Sequence, residues 1–197
     1  MPGSINDFRA SFNTDLARPS KFDVFIPIPL ALTGTIGADS RNLSFRCEAA
    51  EMPGRNFMTT EKKMGSAPVE KFPYHVSYGE CSLTFIISDD MREKIFFDSW
   101  MDIINPTTDY NFQYKSNYMV DITINQYDVT NELSYSAILR EAFPLSMTQL
   151  SLDWQTEGFH KLQIQFAYTN WIGSYVNALQ NKIVSAGLTG ILNTLTQ

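Results

Sequence analysis

Cys81, Leu83, Phe85 and Ile87 alternate with Ser82, Thr84 and Ser88, Ile86 being the one break in a period of two, and predict a half-buried strand. Ser88-Asp89-Asp90 follow directly. These are N-cap formers whose negative charge suits the unpaired N–H groups of a helix N-terminus, so a helix is expected over residues 88–105. Within it Ile95, Phe96, Trp100, Ile103 and Ile104 form an apolar stripe, Arg92, Glu93, Asp98 and Asp102 take other faces, and Asn105-Pro106 stops it. Such a stripe needs a sheet to cover.

On the N-terminal side, Ile5, Phe8 and Phe12 recur at spacings of three and four, which suggests a short amphipathic helix or an arm within residues 1–20 that docks by those side chains. Phe22, Val24, Ile26 and Ile28 alternate as a strand that Pro27 and Pro29 mark as an edge. Leu43, Phe45 and Cys47 then alternate with Ser44, Arg46 and Glu48, and this second strand, over 42–49, is expected to pair with the first. Residues 51–78 are polar and poor in aliphatics, carry Arg55, Lys62, Lys63 and Lys71, and turn at Met64-Gly65-Ser66-Ala67-Pro68. They read as a long projecting β-hairpin, with a solvated loop as the alternative; a lone hairpin is marginal in water and gains order from a partner surface.

Beyond the helix, Val120, Ile122 and Ile124 share one face of a strand over 118–125, residues 133–143 are its expected antiparallel neighbour across the turn Asp128 to Asn131, and Pro144 interrupts the run. Residues 147–154 and 161–171 are expected to pair across a turn at 155–159. Residues 172–197 form a C-terminal extension in which Ile172, Tyr175, Val176, Leu179 and Ile183 recur at helical spacing. The sum is seven or eight strands and one main helix without αβα alternation: a mainly β domain over 21–171, an antiparallel sandwich or barrel with one flanking helix and with N- and C-terminal arms.

Composition fits this picture. At 44% hydrophobic the 197 residues can bury a core, and the 13% aromatic content leans towards β structure. The net charge of -6 gives no general basic surface for holding nucleic acid. No apolar run approaches the length of a membrane span, and the N-terminus lacks the apolar core of a secretory signal. No membrane is therefore expected as a partner.

Candidate chemistry is sparse. Cys47 and Cys81 fall on inward phases and read as small core residues rather than a disulfide. His75 and His160 lack triad or metal-ligand spacing, Asp89-Asp90 are explained by capping, and Asp153-Trp154 reads as a turn. No Walker, GxGxxG or GxSxG motif occurs. No catalytic, cofactor or metal residue is nominated, and an enzyme is not expected.

Four segments, in order, carry a resemblance: Leu16-Ala17-Arg18-Pro19-Ser20-Lys21-Phe22; Phe45-Arg46-Cys47-Glu48-Ala49-Ala50-Glu51-Met52-Pro53-Gly54; the strand and helix with Asp89-Asp90 and Phe97-Asp98-Ser99-Trp100; and the run from Phe143-Pro144 through Leu152-Asp153-Trp154 to Tyr168-Thr169-Asn170-Trp171. Over residues 8–171 the chain resembles the T4-type tail tube proteins of contractile phages. The resemblance implies a β-sandwich or barrel assembled as hexameric rings stacked into a tube through which DNA leaves the capsid, or a baseplate ring that starts such a tube. It implies sheath and baseplate partners, DNA that passes without specific binding, and a place in the virion after assembly in the host cytoplasm. Residues 27–41 and 172–197 depart from the family pattern. On this reading Arg55, Lys62, Lys63, Lys71, Phe8, Phe12, Leu179 and Ile183 are the expected inter-subunit contacts. A carbohydrate-binding β-sandwich stacking sugars on Trp100, Trp154 and Trp171 is the competing reading.

Overall fold

A computed structural model describes residue 5 and residues 16–33, 40–66, 68–155 and 157–174. Nine strands lie within these spans: β1 (Phe22–Phe25), β2 (Cys47–Ala50), β3 (Asn56–Lys62), β4 (Glu70–Ser77), β5 (Cys81–Ile86), β6 (Val120–Tyr127), β7 (Leu133–Met147), β8 (Lys161–Ala167) and β9 (Asn170–Gly173). The helices are α1 (Ser40–Phe45), α2 (Arg92–Ile104) and α3 (Lys115–Tyr118). The chain is mainly β, and among the described residues all strand pairs are antiparallel.

Seven strands are bonded in the order β1-β6-β7-β8-β5-β2, with β9 also pairing with β7. Strand β7 makes this a sandwich, because its first half pairs with β6 and β9 while Phe143 to Met147 pair with β8. Between the halves the register shifts opposite Val120 and Ile122, and Glu141 adopts a φ of 54°. A bulged residue of this kind bends and twists a strand, which carries β7 from one layer into the other.

Side chains from both layers meet in one core. Val24, Ile26, Ile122, Ile124 and Leu139 come from the first layer and Leu83, Phe85, Leu162, Ile164 and Phe166 from the second, all buried. The α2 helix closes it with Phe96, Phe97 and Trp100: the Phe97 ring lies 5.1 Å from Phe85 and 6.2 Å from Phe166, and Trp100 lies 6.1 Å from Phe166. Such aromatic pairs add stabilisation beyond their burial, about 0.5–1.5 kcal/mol each.

Several sequence expectations are corrected. The expected strand over 42–49 is α1 followed by β2; Leu43 and Cys47 are four apart, a spacing equally helical, and Phe45 is exposed while Leu43 is buried. β2 pairs with β5, not with the first strand, which pairs with β6 at the other end of the order. The long helix starts at Arg92 behind an N-cap Met91 with a φ of 54°, because Ser88 is engaged elsewhere: its N–H and hydroxyl both donate to the Glu93 carboxylate. Ile95 is exposed and Phe97 takes its place in the buried stripe. Pro144 does not end its strand, since β7 bulges between Pro144 and Ser146 and continues to Met147. The expected strand over 147–154 is absorbed as far as the Thr148 N–H bond to the Gln163 carbonyl, after which residues 149–155 and 157–160 run irregularly. The single strand expected over 161–171 is two, β8 and β9, split where the Thr169 N–H bonds to the Arg140 carbonyl. Phe8, Phe12, Leu179 and Ile183 lie outside the described residues.

Two features fix what lies at each end of the sandwich. At the Cys81 end of β5, which pairs with Phe166, the chain leaves for β3 and β4. At the other end Ile86 pairs with Lys161, and residues 157–160 lead into β8 there.

Candidate assembly interface

Strands β3 and β4 form a two-stranded sheet of their own, paired from Asn56↔Ser77 to Lys62↔Glu70. The register slips between Met58 and Thr59, where Tyr74 is the extra residue and Pro73, lacking an N–H, faces Thr59. Gly65 turns the tip with a φ of 59°, a conformation glycine adopts without a Cβ penalty. Every residue of β3, and all of β4 up to Val76, is exposed. Alternation therefore sorts its side chains onto two solvent faces rather than onto a core and a surface.

The exposed positions are not uniformly polar. Phe57, Met58, Val69, Phe72, Tyr74 and Val76 lie along the hairpin and Met64 at its tip. Distributed over both faces of a two-stranded sheet that has no core of its own, they make the hairpin a candidate interaction surface. Aromatic and methionine side chains were the missed signal in the sequence, because the segment is poor in aliphatics only.

Among the nominated basic residues, Arg55 is packed at the hairpin base with its guanidinium 5.1 Å from the Trp171 ring centre and 5.8 Å from that of Tyr78. Lys62 lies 5.7 Å from the centre of the Phe72 ring, and Lys71 forms a 3.6 Å ion pair with Glu61 across the strands. These contacts are solvated, each about 0–1 kcal/mol, and place charge rather than hold the hairpin together. Lys63 is exposed at the turn.

A second exposed apolar group lies at the opposite end. Leu152 is 86% exposed, Trp154 fully exposed and Phe159 62% exposed, around an open cleft of about 560 Å³ that Leu150 and His160 also line. Lys161 at its edge holds Glu48 at 2.6 Å and lies 5.4 Å from the Phe159 ring centre. Tyr110, Phe112 and Tyr114 form a third exposed set after α2.

Reactive groups are muted by their surroundings. Cys47 and Cys81 are free, and burial pushes each thiol up to about 12, with the Glu51 charge adding to the effect at Cys81. Neither carries appreciable thiolate at neutral pH. Burial also drives the Tyr168 hydroxyl to about 12. Among the described residues no group of three or more His, Cys, Asp or Glu is placed to hold a metal ion, and no helix is long and apolar enough to cross a membrane.

Solved structures with similar folds agree on the architecture. The chain is similar to a chain in the anti-feeding prophage baseplate at a TM-score of 0.61 and 12% identity, covering 81% of this chain and 96% of that one. It is similar to the cap that terminates the anti-feeding prophage tube, with a TM-score of 0.60, 17% identity and coverage of 82% and 92%. A chain of the sheath/tube terminator of an extracellular contractile injection system, PVC, matches at 0.60 and 17%, covering 82% of this chain and 99% of that one. No curated protein sequence matches. The sequence profile described as "Phage tail tube protein" matches residues 17–174, which span both layers, α2 and the hairpin, and so the chain belongs to the phage tail tube protein family.

Proposed function

We propose that this protein forms hexameric rings that stack head to tail into the inner tube of a contractile phage tail, a conduit through which DNA passes without specific binding. The observation that carries this reading is the β3–β4 hairpin, exposed along both strands and apolar at Phe57, Met58, Phe72 and Tyr74, which needs a neighbouring surface to cover it. Head-to-tail contact is heterologous and does not close along the axis, so one hairpin per copy suffices to propagate a tube. The net charge of -6 suits a conduit for DNA, since like charge opposes adhesion of phosphates. Sheath and baseplate proteins are the expected partners, the virion the expected location, and the host cytoplasm the place of assembly. The protein is structural; no catalytic residue is assigned.

A baseplate or tube-end ring of the same fold is the second reading, favoured by likeness to chains from a baseplate and from tube terminators. Sugar binding is less well supported, because Trp100, one of its three tryptophans, is wholly buried.

Sedimentation and negative-stain microscopy of concentrated protein test the proposal, with and without a baseplate or tube template. Rings and tubes are expected, and replacing residues 56–74 by a tight turn should abolish stacking while circular dichroism shows the β domain intact. Monomers alone under all these conditions would overturn it.

A further inference from the structure

We propose that the cleft bordered by Leu150, Leu152, Trp154 and Phe159 is the receptor for the hairpin tip, residues 62–66, of a second copy of this chain. This rests on the proposed ring stacking and names the surface that receives it. Three observations point to one occupant. The hairpin leaves the sandwich at the Cys81 end of β5 and the cleft opens at the Ile86 end, where Lys161 pairs, so the two lie at opposite ends of the same pair of strands. With the two at opposite ends, the next copy along a head-to-tail stack presents its cleft to the hairpin.

The chemistry is complementary. Met64 is 85% exposed at the tip, flanked by Lys62 and Lys63. The cleft offers Leu152 and Trp154 beside the exposed Asp153 carboxylate, and its one lysine, Lys161, is already paired with Glu48. A thioether against an aromatic face is a favourable contact, and a lysine meeting the Asp153 carboxylate fixes its direction. Size is also adequate: about 560 Å³ accommodates a methionine together with the stems of its neighbours. A fully exposed tryptophan becomes an anchor once a partner excludes water from it.

Cysteine cross-linking of the full-length protein tests this. Met64→Cys and Trp154→Cys combined should give disulfide-linked ladders on oxidation of assembled tubes, and either substitution alone should not; the native thiols are shared by all variants. Trp154→Ser should leave ring formation intact and weaken ring-on-ring association about tenfold or more, the usual effect of losing an interface anchor. Asp153→Lys should likewise block stacking, and adding Lys62→Glu with Lys63→Glu should restore it. Wild-type tubes whose stacking survives Trp154→Ser, with no ladder from the double cysteine variant, would overturn the receptor while leaving the ring reading in place. Wild-type protein that forms neither rings nor tubes would overturn both.

Discussion

The Trp171 indole Nε1 donates a 3.0 Å hydrogen bond to the Gly54 carbonyl, joining the edge strand β9 to the base of the hairpin. Arg55 stacks over the same ring and over Tyr78, whose ring centre lies 6.1 Å from that of Tyr168. The hairpin is thus seated at its root and solvated beyond it. Its aim is set by a few side chains rather than by a core.

Trp171→Ala should therefore loosen the hairpin without unfolding the domain. The lost hydrogen bond and cation–π contact are together worth about 1–2 kcal/mol at a partly exposed site. Limited trypsin digestion should cut faster after Lys62 and Lys63 than in the wild type, and stacking should weaken. Unchanged cleavage would show that the root is held by other contacts.

Trp100 serves the core in two ways. Its ring is fully buried against Phe97 and Phe166, and its Nε1 donates a 2.8 Å hydrogen bond to the Tyr118 carbonyl at the end of α3. Trp100→Ala should cost about 3–5 kcal/mol, and Trp100→Phe should lose the bond and leave the carbonyl under-satisfied, at about 1–3 kcal/mol. Urea denaturation measures both. Equal losses from the two variants would mean that the ring volume, not the aromatic packing with its hydrogen bond, was misjudged.

Acid sensitivity should come in part from Glu93. Burial pushes its carboxyl up, but the hydrogen bonds from the Ser88 N–H and hydroxyl and from its own backbone N–H, with Arg46 at 3.8 Å, outweigh burial and hold it below its ordinary 4.5. A carboxyl whose pKa is lower folded than unfolded contributes stability above its unfolded value and loses it as pH falls through the folded one. The contribution is thus complete above about pH 4.5 and declines below it. Glu93→Gln should destabilise the protein by about 1–3 kcal/mol at neutral pH and flatten the fall of Tm in acid. An equally steep fall in the variant would assign the acid sensitivity to other carboxylates.

The fold was legible wherever one side of an element faces the core. The alternation of Cys81 to Ile87 and of Leu162 to Phe166 maps directly onto buried positions of β5 and β8. It failed where apolar spacing fits two periods at once, as with Leu43 and Cys47, and where a proline sits in a bulge, as Pro144 does. Pairing partners were illegible too, since β1 and β2 carry matching patterns but nothing local says that β6 and β5 stand beside them. At the candidate interface, the basic side chains were visible in sequence, whereas the exposure of Phe57 and Met58 was not, because exposure of an aromatic is a property of what fails to cover it.

Strand β9 decides where a truncation that tests the expected C-terminal extension should fall. Strand β9 pairs Ile172 with Ile138 and Gly173 with Ala137, and the Ser136 N–H donates to the Ser174 hydroxyl, so a cut after Trp171 would remove sheet contacts as well as the extension. The family match ends at residue 174. The matched region leaves out residues 175–197, whose sequence spacing of Tyr175, Val176, Leu179 and Ile183 lies outside the described residues. Truncation after Ser174 should leave the β-type circular dichroism spectrum and change stability by less than about 1 kcal/mol, within the range of changes away from a core. A truncated protein that unfolds would show that the extension packs on its own domain. If it keeps its fold and loses rings or tubes, the extension acts between subunits; if it still forms long tubes, a role in stacking is excluded.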